Sequence, residues 1–490
     1  MPAEQVDAYK KYTKDTILAG IANVALGLRW LILLPILSKT LGAEAYGIWS
    51  QIQVTILVLM PVGMLQLGFA MSRFLTAETD KSKTSTGFFS ILSVTSVTSI
   101  LLSILVFILA EPLAAAVFGG VQAMPFVKLA ASLVLVTTLD EVISQYFVTF
   151  RQMGRYSIFI IGQAVGEVAL AAYLVFSGFG LYGAITALLV VRAFLFIIGF
   201  LVIRPQINFS APSLSVIKPY LAFSLPLLSA GLSWWVLNLS DRYIIGYFLG
   251  AGAVGIYSAA YVLGTAVEFF FTPLAIVLFP AITLLYENNK IEEVKTHLKY
   301  SLKFYLMFAI PAIFGLSILA KPLLATLTTA EFDAGLPLVP IIALAEVFMA
   351  CGSIIMRIPL LFGTTKVIAL VDGAGAAINV VMNIILVPLM GILGAAISTL
   401  AVFMLRLIVF SVIGFKQLSF DVDPKFIAKA VISSLIMGAV VWVLSPTGAV
   451  RILTSVVAGA ITYFAALILL RGFTRREYGF LKSILKEVNK

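Results

Sequence analysis

The chain has 490 residues, 61% of them hydrophobic and 11% charged, where soluble domains run about 45–50% apolar and about 25% charged. With a mean hydropathy of +1.08, this balance excludes a soluble enzyme, a disordered scaffold and an ordinary nucleic-acid binder. A formal charge of +10 does not restore a nucleic-acid partner, because Lys and Arg cluster in short loops beside apolar runs, the pattern of cytoplasmic loops on a membrane protein.

Apolar runs of about 18 or more residues are candidate membrane-crossing helices, since about 20 residues at 1.5 Å each span the hydrocarbon. Fourteen such runs are predicted, at 15–38, 46–72, 86–110, 126–149, 156–177, 181–203, 217–240, 253–280, 301–320, 336–361, 367–388, 391–414, 427–445 and 450–470. None shows the period-two alternation of a barrel strand, so the expected fold is an all-α polytopic membrane protein. The opening segment MPAEQVDAYKKYTKD is polar and lacks a signal-peptide pattern.

Placing the N-terminus in the cytoplasm puts 24 of the 33 Lys and Arg on the inside, among them Lys81, Lys83, Arg151, Arg155, Lys290, Lys295 and a basic tail from Arg471. Only Lys39, Lys128, Arg242, Lys321 and Arg451 then lie outside, and Arg29, Arg192, Arg357 and Arg406 fall within spans. This asymmetry predicts a multi-pass protein of the cell membrane with both termini cytoplasmic. No connection exceeds roughly twenty residues, too short for a soluble domain. There is no phosphate-binding G-x-x-x-x-G-K-[ST] loop and no Cys/His cluster with metal spacing, and Cys351 and His297 are single. The sequence therefore predicts no cofactor, no metal and no enzymatic chemistry, with function carried among the helices.

The chain repeats itself. Leu41-Gly42-Ala43-Glu44-Ala45-Tyr46-Gly47-Ile48-Trp49-Ser50 returns 208 residues later as Leu249-Gly250-Ala251-Gly252-Ala253-Val254-Gly255-Ile256-Tyr257-Ser258, with seven of ten positions identical. Gly180-Leu181-Tyr182-Gly183-Ala184 echoes in Gly391-Ile392-Leu393-Gly394-Ala395 at the start of the sixth helix of each half. Glycines permit the tight turn and close backbone approach that each place needs. The predicted organisation is a six-helix lobe over 1–207, a second over 208–418, and 419–490 as two further helices with the basic tail. Six is even, so the halves are parallel repeats, which suits a pseudo-two-fold axis along the membrane normal with a cavity between the lobes.

Polar side chains inside the spans fall on shared helix faces. Span 4 carries Thr138, Glu141, Gln145 and Thr149, beside Asp140; span 5 carries Gln163 and Glu167; span 7 carries Trp234, Asn238 and Asp241. Span 8 carries Tyr257, Tyr261 and Glu268; span 10 carries Glu346, Ser353 and Arg357; span 11 carries Asp372, Asn379 and Asn383. Arg29 lies mid-span in span 1, near Asn23 and Trp30. A guanidinium matches a phosphate in a two-pronged fork; such arginines equally pair with intramembrane acids or snorkel. The candidate substrate-binding residues are Arg29, Asn23, Trp234, Asn238, Arg357, Asn379 and Asn383. Candidate coupling residues for a proton or sodium ion are Glu141, Glu268, Glu346 and Asp372.

The segment Leu37-Ser38-Lys39-Thr40-Leu41-Gly42-Ala43-Glu44-Ala45-Tyr46-Gly47-Ile48-Trp49-Ser50 resembles the first outer turn of polysaccharide and O-antigen flippases, a polysaccharide transporter family of the multidrug/oligosaccharidyl-lipid/polysaccharide exporter superfamily. Phe223 through Ser258, with Pro226, Asp241-Arg242, Leu249-Gly250 and Gly255-Ile256-Tyr257-Ser258, resembles the start of the second half in those flippases. Asn379 and Asn383, then Pro388 and Gly391-Ile392-Leu393-Gly394-Ala395-Ala396, make a third match. The resemblance implies two lobes, alternating access, and a polyprenyl-(di)phosphate-linked oligosaccharide carried from the cytoplasmic to the outer leaflet for polysaccharide or glycoconjugate biosynthesis. It implies membrane lipids and glycan-assembly proteins as partners, no nucleic acid, and a cationic cavity to which Arg29 belongs. A cation-coupled multidrug antiporter of the same superfamily is the alternative, and an intramembrane glycosyltransferase or a non-transporting scaffold are more distant rivals.

Overall fold

The computed structural model describes residues 3–76 and 78–472, with the side chains of 3–17, 19, 23, 229 and 230 left aside. The side chain of Asn23 and the basic tail beyond residue 472 thus lie outside the described residues. The described chain is helical nearly throughout. It begins with α1 (Ala3–Met64), α2 (Leu67–Leu75), α3 (Lys81–Ile108), α4 (Ala110–Val117), α5 (Met124–Thr149), α6 (Met153–Leu174) and α7 (Gly180–Ile203). It continues with α8 (Leu214–Gly264), α9 (Thr272–Glu287), α10 (Ile291–Leu327), α11 (Leu338–Ile355) and α12 (Arg357–Leu361). Last come α13 (Thr365–Met390), α14 (Ile392–Gln417), α15 (Pro424–Leu444) and α16 (Ala449–Leu469).

Ten stretches are long and apolar enough to cross a membrane, and three of them run to 45, 54 and 74 residues. At about 1.5 Å per residue the first two are more than twice, and the third more than three times, the length of one crossing of about 30 Å. Glycine breaks them. Gly42 (φ 79°, ψ −179°) splits α1 and Gly250 (φ 82°, ψ 176°) splits α8. Gly178 (φ 91°) and Gly180 (φ 56°) separate α6 from α7. Those angles at Gly42 and Gly250 lie in a region essentially closed to residues with a Cβ. With α5, a 26-residue helix, the segments of crossing length match the fourteen predicted spans. Most predicted span ends hold to within a few residues, but the helix before Gly250 runs past the predicted end at 240, α9 runs past 280 to Glu287, and α10 extends beyond the predicted 301–320 at both ends. The turns fall at the two duplicated glycine motifs.

By contacts the described chain divides into two compact units: residues up to Ala259 with Ala376–Ala395, and Ala260–Gly375 with residues from Ala396 onward. In the first unit, Met64, Leu67, Ile91, Ile143, Phe147, Phe159 and Ile203 form a buried core between α1, α2, α3, α5, α6 and α7. In the second, Val267, Ile282, Leu298, Tyr305, Ala343, Ile354 and Phe410 form another. The two appended helices dock there too: Met437 and Tyr463 bury against Met307, Ile310 and Leu319 of α10, and Tyr463 donates to the Met307 carbonyl at 2.8 Å. The outside is apolar, with Ile158, Phe176, Leu370, Leu389, Trp442 and Leu469 exposed. Such a surface is stable in hydrocarbon and an aggregation hazard in water.

Candidate functional site

In the first unit, α6 presents Gln163 and Glu167 one turn apart on the same face, as the spacing predicts. Gln163 Nε2 donates to Glu167 Oε1 at 3.2 Å. Arg29 of α1 and Arg192 of α7 both reach Glu167: Arg29 Nη1 pairs with Oε2, and Arg192 Nε lies 2.8 Å from Oε1. Glu167 is 0% exposed and Arg29 7%. In so dry a place a carboxylate is stable only with charged partners, and it has two. The Arg29 guanidinium also lies 5.0 Å over the Trp30 ring. On α5, Gln145 donates to Glu141 Oε1 at 3.0 Å, while the buried Asp140 keeps one oxygen without a partner.

The same unit holds a seam between the two copies of the duplicated turn. Gln51 Nε2 donates to the Val117 and Arg242 carbonyls at 3.1 and 3.2 Å. Asp241 accepts from its neighbour's guanidinium, Arg242, at 3.2 Å and from the Tyr257 hydroxyl. The Asp241-Arg242 pair is therefore part of a buried network and not a loose surface ion pair. Asn379 and Asn383 are buried together: Asn383 Nδ2 donates to Asn379 Oδ1 at 2.9 Å, leaving Asn379 Nδ2 and Asn383 Oδ1 without partners.

Span 7 carries the candidate residues Trp234 and Asn238. The Trp234 ring is 53% exposed, and Asn238 donates to the Trp234 carbonyl at 2.8 Å within its own helix. Trp235 is the anchored ring, bonded to the Val54 carbonyl at 3.3 Å and edge-on to Tyr243.

In the second unit, α8 gives way after Gly264 to a tighter turn over Thr265–Phe270, which carries Glu268. Departures from α-helical winding inside a span recur at functional positions. Glu268 lies within hydrogen-bonding reach of Glu346, and the Tyr261 hydroxyl donates to Glu346 Oε1 at 2.9 Å. Arg406 of α14 bonds Asp372 of α13 at 2.8 Å and Ser353 Oγ of α11 at 3.3 Å. Arg357 is half-buried with its guanidinium 5.5 Å over the Phe279 ring. It is the one intramembrane arginine of the four that makes no ion pair among the described residues. The structure thus joins Glu268 to Glu346 and ties Arg29 and Asp372 to partners. Sequence reasoning left Glu167, Arg192 and Arg406 outside the candidate set. The Gln163/Glu167 spacing flagged that face, but partners 138 and 25 residues away leave no local signature.

A family model described as polysaccharide biosynthesis protein matches residues 12–285. The probable low-salt glycan biosynthesis flippase Agl15 of Haloferax volcanii is 26% identical over 206 residues, 41% of this chain and 43% of that protein. The probable flippase AglR of the same organism is 26% identical over 253 residues, 46% of this chain and 48% of that protein. The matches thus span less than half the length of these curated relatives. Among solved structures, the lipid II flippase MurJ in an inward closed conformation aligns with a TM-score of 0.75 at 15% identity, covering 94% of this chain and 99% of that one. An inward-facing multidrug resistance MATE family transporter of the MOP superfamily aligns with a TM-score of 0.70 at 16% identity, covering 81% and 94%. At these identities the likeness shows a shared fold: an all-α polytopic membrane protein.

Proposed function

The chain belongs to the polysaccharide biosynthesis protein family, and from that premise we propose that it flips a polyprenyl-(di)phosphate-linked oligosaccharide from the cytoplasmic to the outer leaflet by alternating access. The observation that carries this reading is the set of guanidiniums held inside apolar spans, above all Arg357, which makes no ion pair among the described residues. A charged side chain within a span costs at least about 2.5–3.5 kcal/mol on insertion scales, so it is retained for a ligand or a partner. Arg29, Arg192 and Arg406 have carboxylate partners; among the described residues Arg357 meets an aromatic face and no carboxylate. A phosphate suits it, because guanidinium recognises phosphate oxygens in a fork.

A sugar head cannot cross about 30 Å of hydrocarbon unaided. In the proposed cycle a hydrated space among the helices shelters the head while the prenyl tail stays in lipid. Arg357 and Arg29 hold the phosphate; Asn23, Asn238, Asn379 and Asn383 hydrogen-bond the sugar; Trp234 stacks on it. Glu268 and Glu346, the latter accepting from the Tyr261 hydroxyl, form the proposed coupling site for a proton or sodium ion, with Glu141 and Asp372 as further acids. The protein acts in the cell membrane with both termini cytoplasmic, beside glycan-assembly proteins, and performs no covalent chemistry. The MATE-like fold supports a drug antiporter as the second reading.

The test is reconstitution in proteoliposomes with a fluorescent lipid-linked oligosaccharide and a membrane-impermeant quencher. Protein-dependent movement between leaflets, lost in Arg357→Ala, is the expected result. Uptake of organic cations without movement of the glycolipid would replace this reading with the antiporter.

A further inference from the structure

Arg29 and Arg192 arrive from different helices and end on one carboxylate, each on its own oxygen. With Gln163 on Oε1 as well, Glu167 retains two partners even if Arg29 leaves. The trio carries two positive charges and one negative. Arg29 meets Glu167 through Nη1, and its Nε is buried with no hydrogen-bond partner. The guanidinium is thus only partly used: the edge bearing Nε has no acceptor. A buried donor without an acceptor carries a full desolvation cost, and stranding a buried charge costs more.

The geometry points to Glu167 as a resident stand-in for the substrate's phosphate, so that Arg29 exchanges between the Glu167 carboxylate and the incoming (di)phosphate. The inference rests on the flipping reading above and adds Glu167 and Arg192 as positioning residues. A phosphate group can engage Nε and Nη together, which Glu167 does not. Arg192 and Gln163 keep Glu167 compensated after the exchange, so no charge is stranded. The carboxylate also helps release: as the phosphate departs, Glu167 takes Arg29 back. By linkage, whatever Glu167 gains at Arg29 the phosphate loses.

The experiment titrates purified protein in detergent micelles with polyprenyl diphosphate, with polyprenol and inorganic pyrophosphate as the other arms, and measures turnover in proteoliposomes. Glu167→Gln is expected to bind polyprenyl diphosphate about tenfold more tightly while turning over more slowly, because the competitor that aids release is gone. Arg192→Ala moves the other way: Glu167, left with Arg29 as its single cation, grips it harder and substrate binding weakens. In the Glu167→Gln/Arg29→Ala double variant the gain vanishes. Unchanged or weaker binding by a folded Glu167→Gln protein, or a gain that survives without Arg29, overturns the exchange. If Glu167→Gln does not fold, the sign of the Arg192→Ala shift decides. Wild-type protein that binds polyprenyl diphosphate no better than polyprenol overturns the flipping reading itself; wild-type binding that the Glu167 and Arg192 variants leave unmoved overturns only the exchange.

Discussion

Ser50 Oγ donates to Ser258 Oγ at 2.7 Å, and the two serines are 208 residues apart, the offset of the internal repeat. A residue that touches its own duplicate sits on a local two-fold axis, by the logic that makes symmetric dimer interfaces self-complementary. The neighbours obey the same rule. A β-carbon on Gly47 would overlap the Ala251 carbonyl, and one on Gly255 would overlap the Ala43 carbonyl. The duplication is therefore visible as a contact, with both backbones passing where only glycine fits.

A pair of cysteines tests whether this seam opens in the proposed transport cycle. Ser50→Cys with Ser258→Cys, in a Cys351→Ala background, should form a disulfide on mild oxidation, because the side-chain oxygens already meet. Alternating access requires one side of the molecule to part in each cycle. The oxidised protein should lose flipping and regain it with reductant, read in the proteoliposome assay. Full activity with the crosslink intact would mean that the seam stays shut throughout the cycle.

Glycine substitutions separate space from conformation. Gly47→Ala and Gly255→Ala force backbone against backbone and should each destabilise by about 1–3 kcal/mol, the usual cost of overpacking. Gly250→Ala has nothing within 4 Å but a φ of +82°, and should cost about 1–3 kcal/mol through strain alone. Gly252 has open space and no positive φ, so Gly252→Ala should be neutral or stabilising by up to about 1 kcal/mol. The double variant Gly47→Ala/Gly255→Ala should cost less than the sum, since both open one seam. Unfolding in detergent, followed by tryptophan fluorescence, ranks the five.

Much of this architecture was legible because hydrocarbon is a strict solvent. The length and apolarity of each run fixed where helices lie, and the glycine motifs at 41–50 and 249–258 fixed two of the turns. Same-helix relations were legible too: Gln163 with Glu167, and Glu141 with Gln145, follow from a spacing of four. Relations across helices were not. Nothing local says that Arg29 takes Glu167 and leaves Asp140 with an oxygen unpartnered, or that Trp235 and not Trp234 is the anchored ring. Those outcomes depend on the rotation of each helix about its axis, set by packing of many weak contacts that a single sequence does not display. Arg357 was legible as a candidate from its helix face with Glu346 and Ser353, but that it makes no ion pair among the described residues became visible only once the other three arginines were placed.

Arg406 should resist replacement by lysine. Its guanidinium spreads over Asp372 at 2.8 Å, Ser353 Oγ at 3.3 Å and the Met349 carbonyl at 3.4 Å, which a single ammonium cannot reproduce. Arg406→Lys should lower stability by about 1–3 kcal/mol, the range for lost hydrogen bonds to a charged group. Asp372→Asn, which leaves the guanidinium uncompensated, should cost about 3–5 kcal/mol. The double variant Asp372→Asn/Arg406→Leu should recover part of that loss, because no lone charge remains. A double-mutant cycle on the unfolding midpoint measures it; strict additivity would mean that the pair contributes nothing.

Asp423 offers a pH-dependent contact outside the spans. It caps α15, accepting from the Phe426 amide at 3.0 Å, and lies 3.5 Å from Lys303, whose ammonium also sits over the Phe426 ring. Burial pushes its carboxyl up, but the Phe426 hydrogen bond and the charges of Lys303 and Lys299 together outweigh that and hold it below the ordinary range. A depressed carboxyl stabilises the fold above its unfolded pKa, near 3.9, and that contribution fades as pH falls through the folded value. Asp423→Asn keeps a competent cap and loses only the charge. It should therefore destabilise by no more than about 1 kcal/mol at pH 7, as expected of a partly exposed ion pair, and the difference from wild type should shrink steadily below about pH 4. Asp423→Ala, which removes the cap as well, should retain a deficit of about 1 kcal/mol even in acid. Thermal unfolding of the three proteins from pH 3 to 7 reads both terms; a wild-type advantage over Asp423→Asn that grows on acidification would reverse the assigned sign.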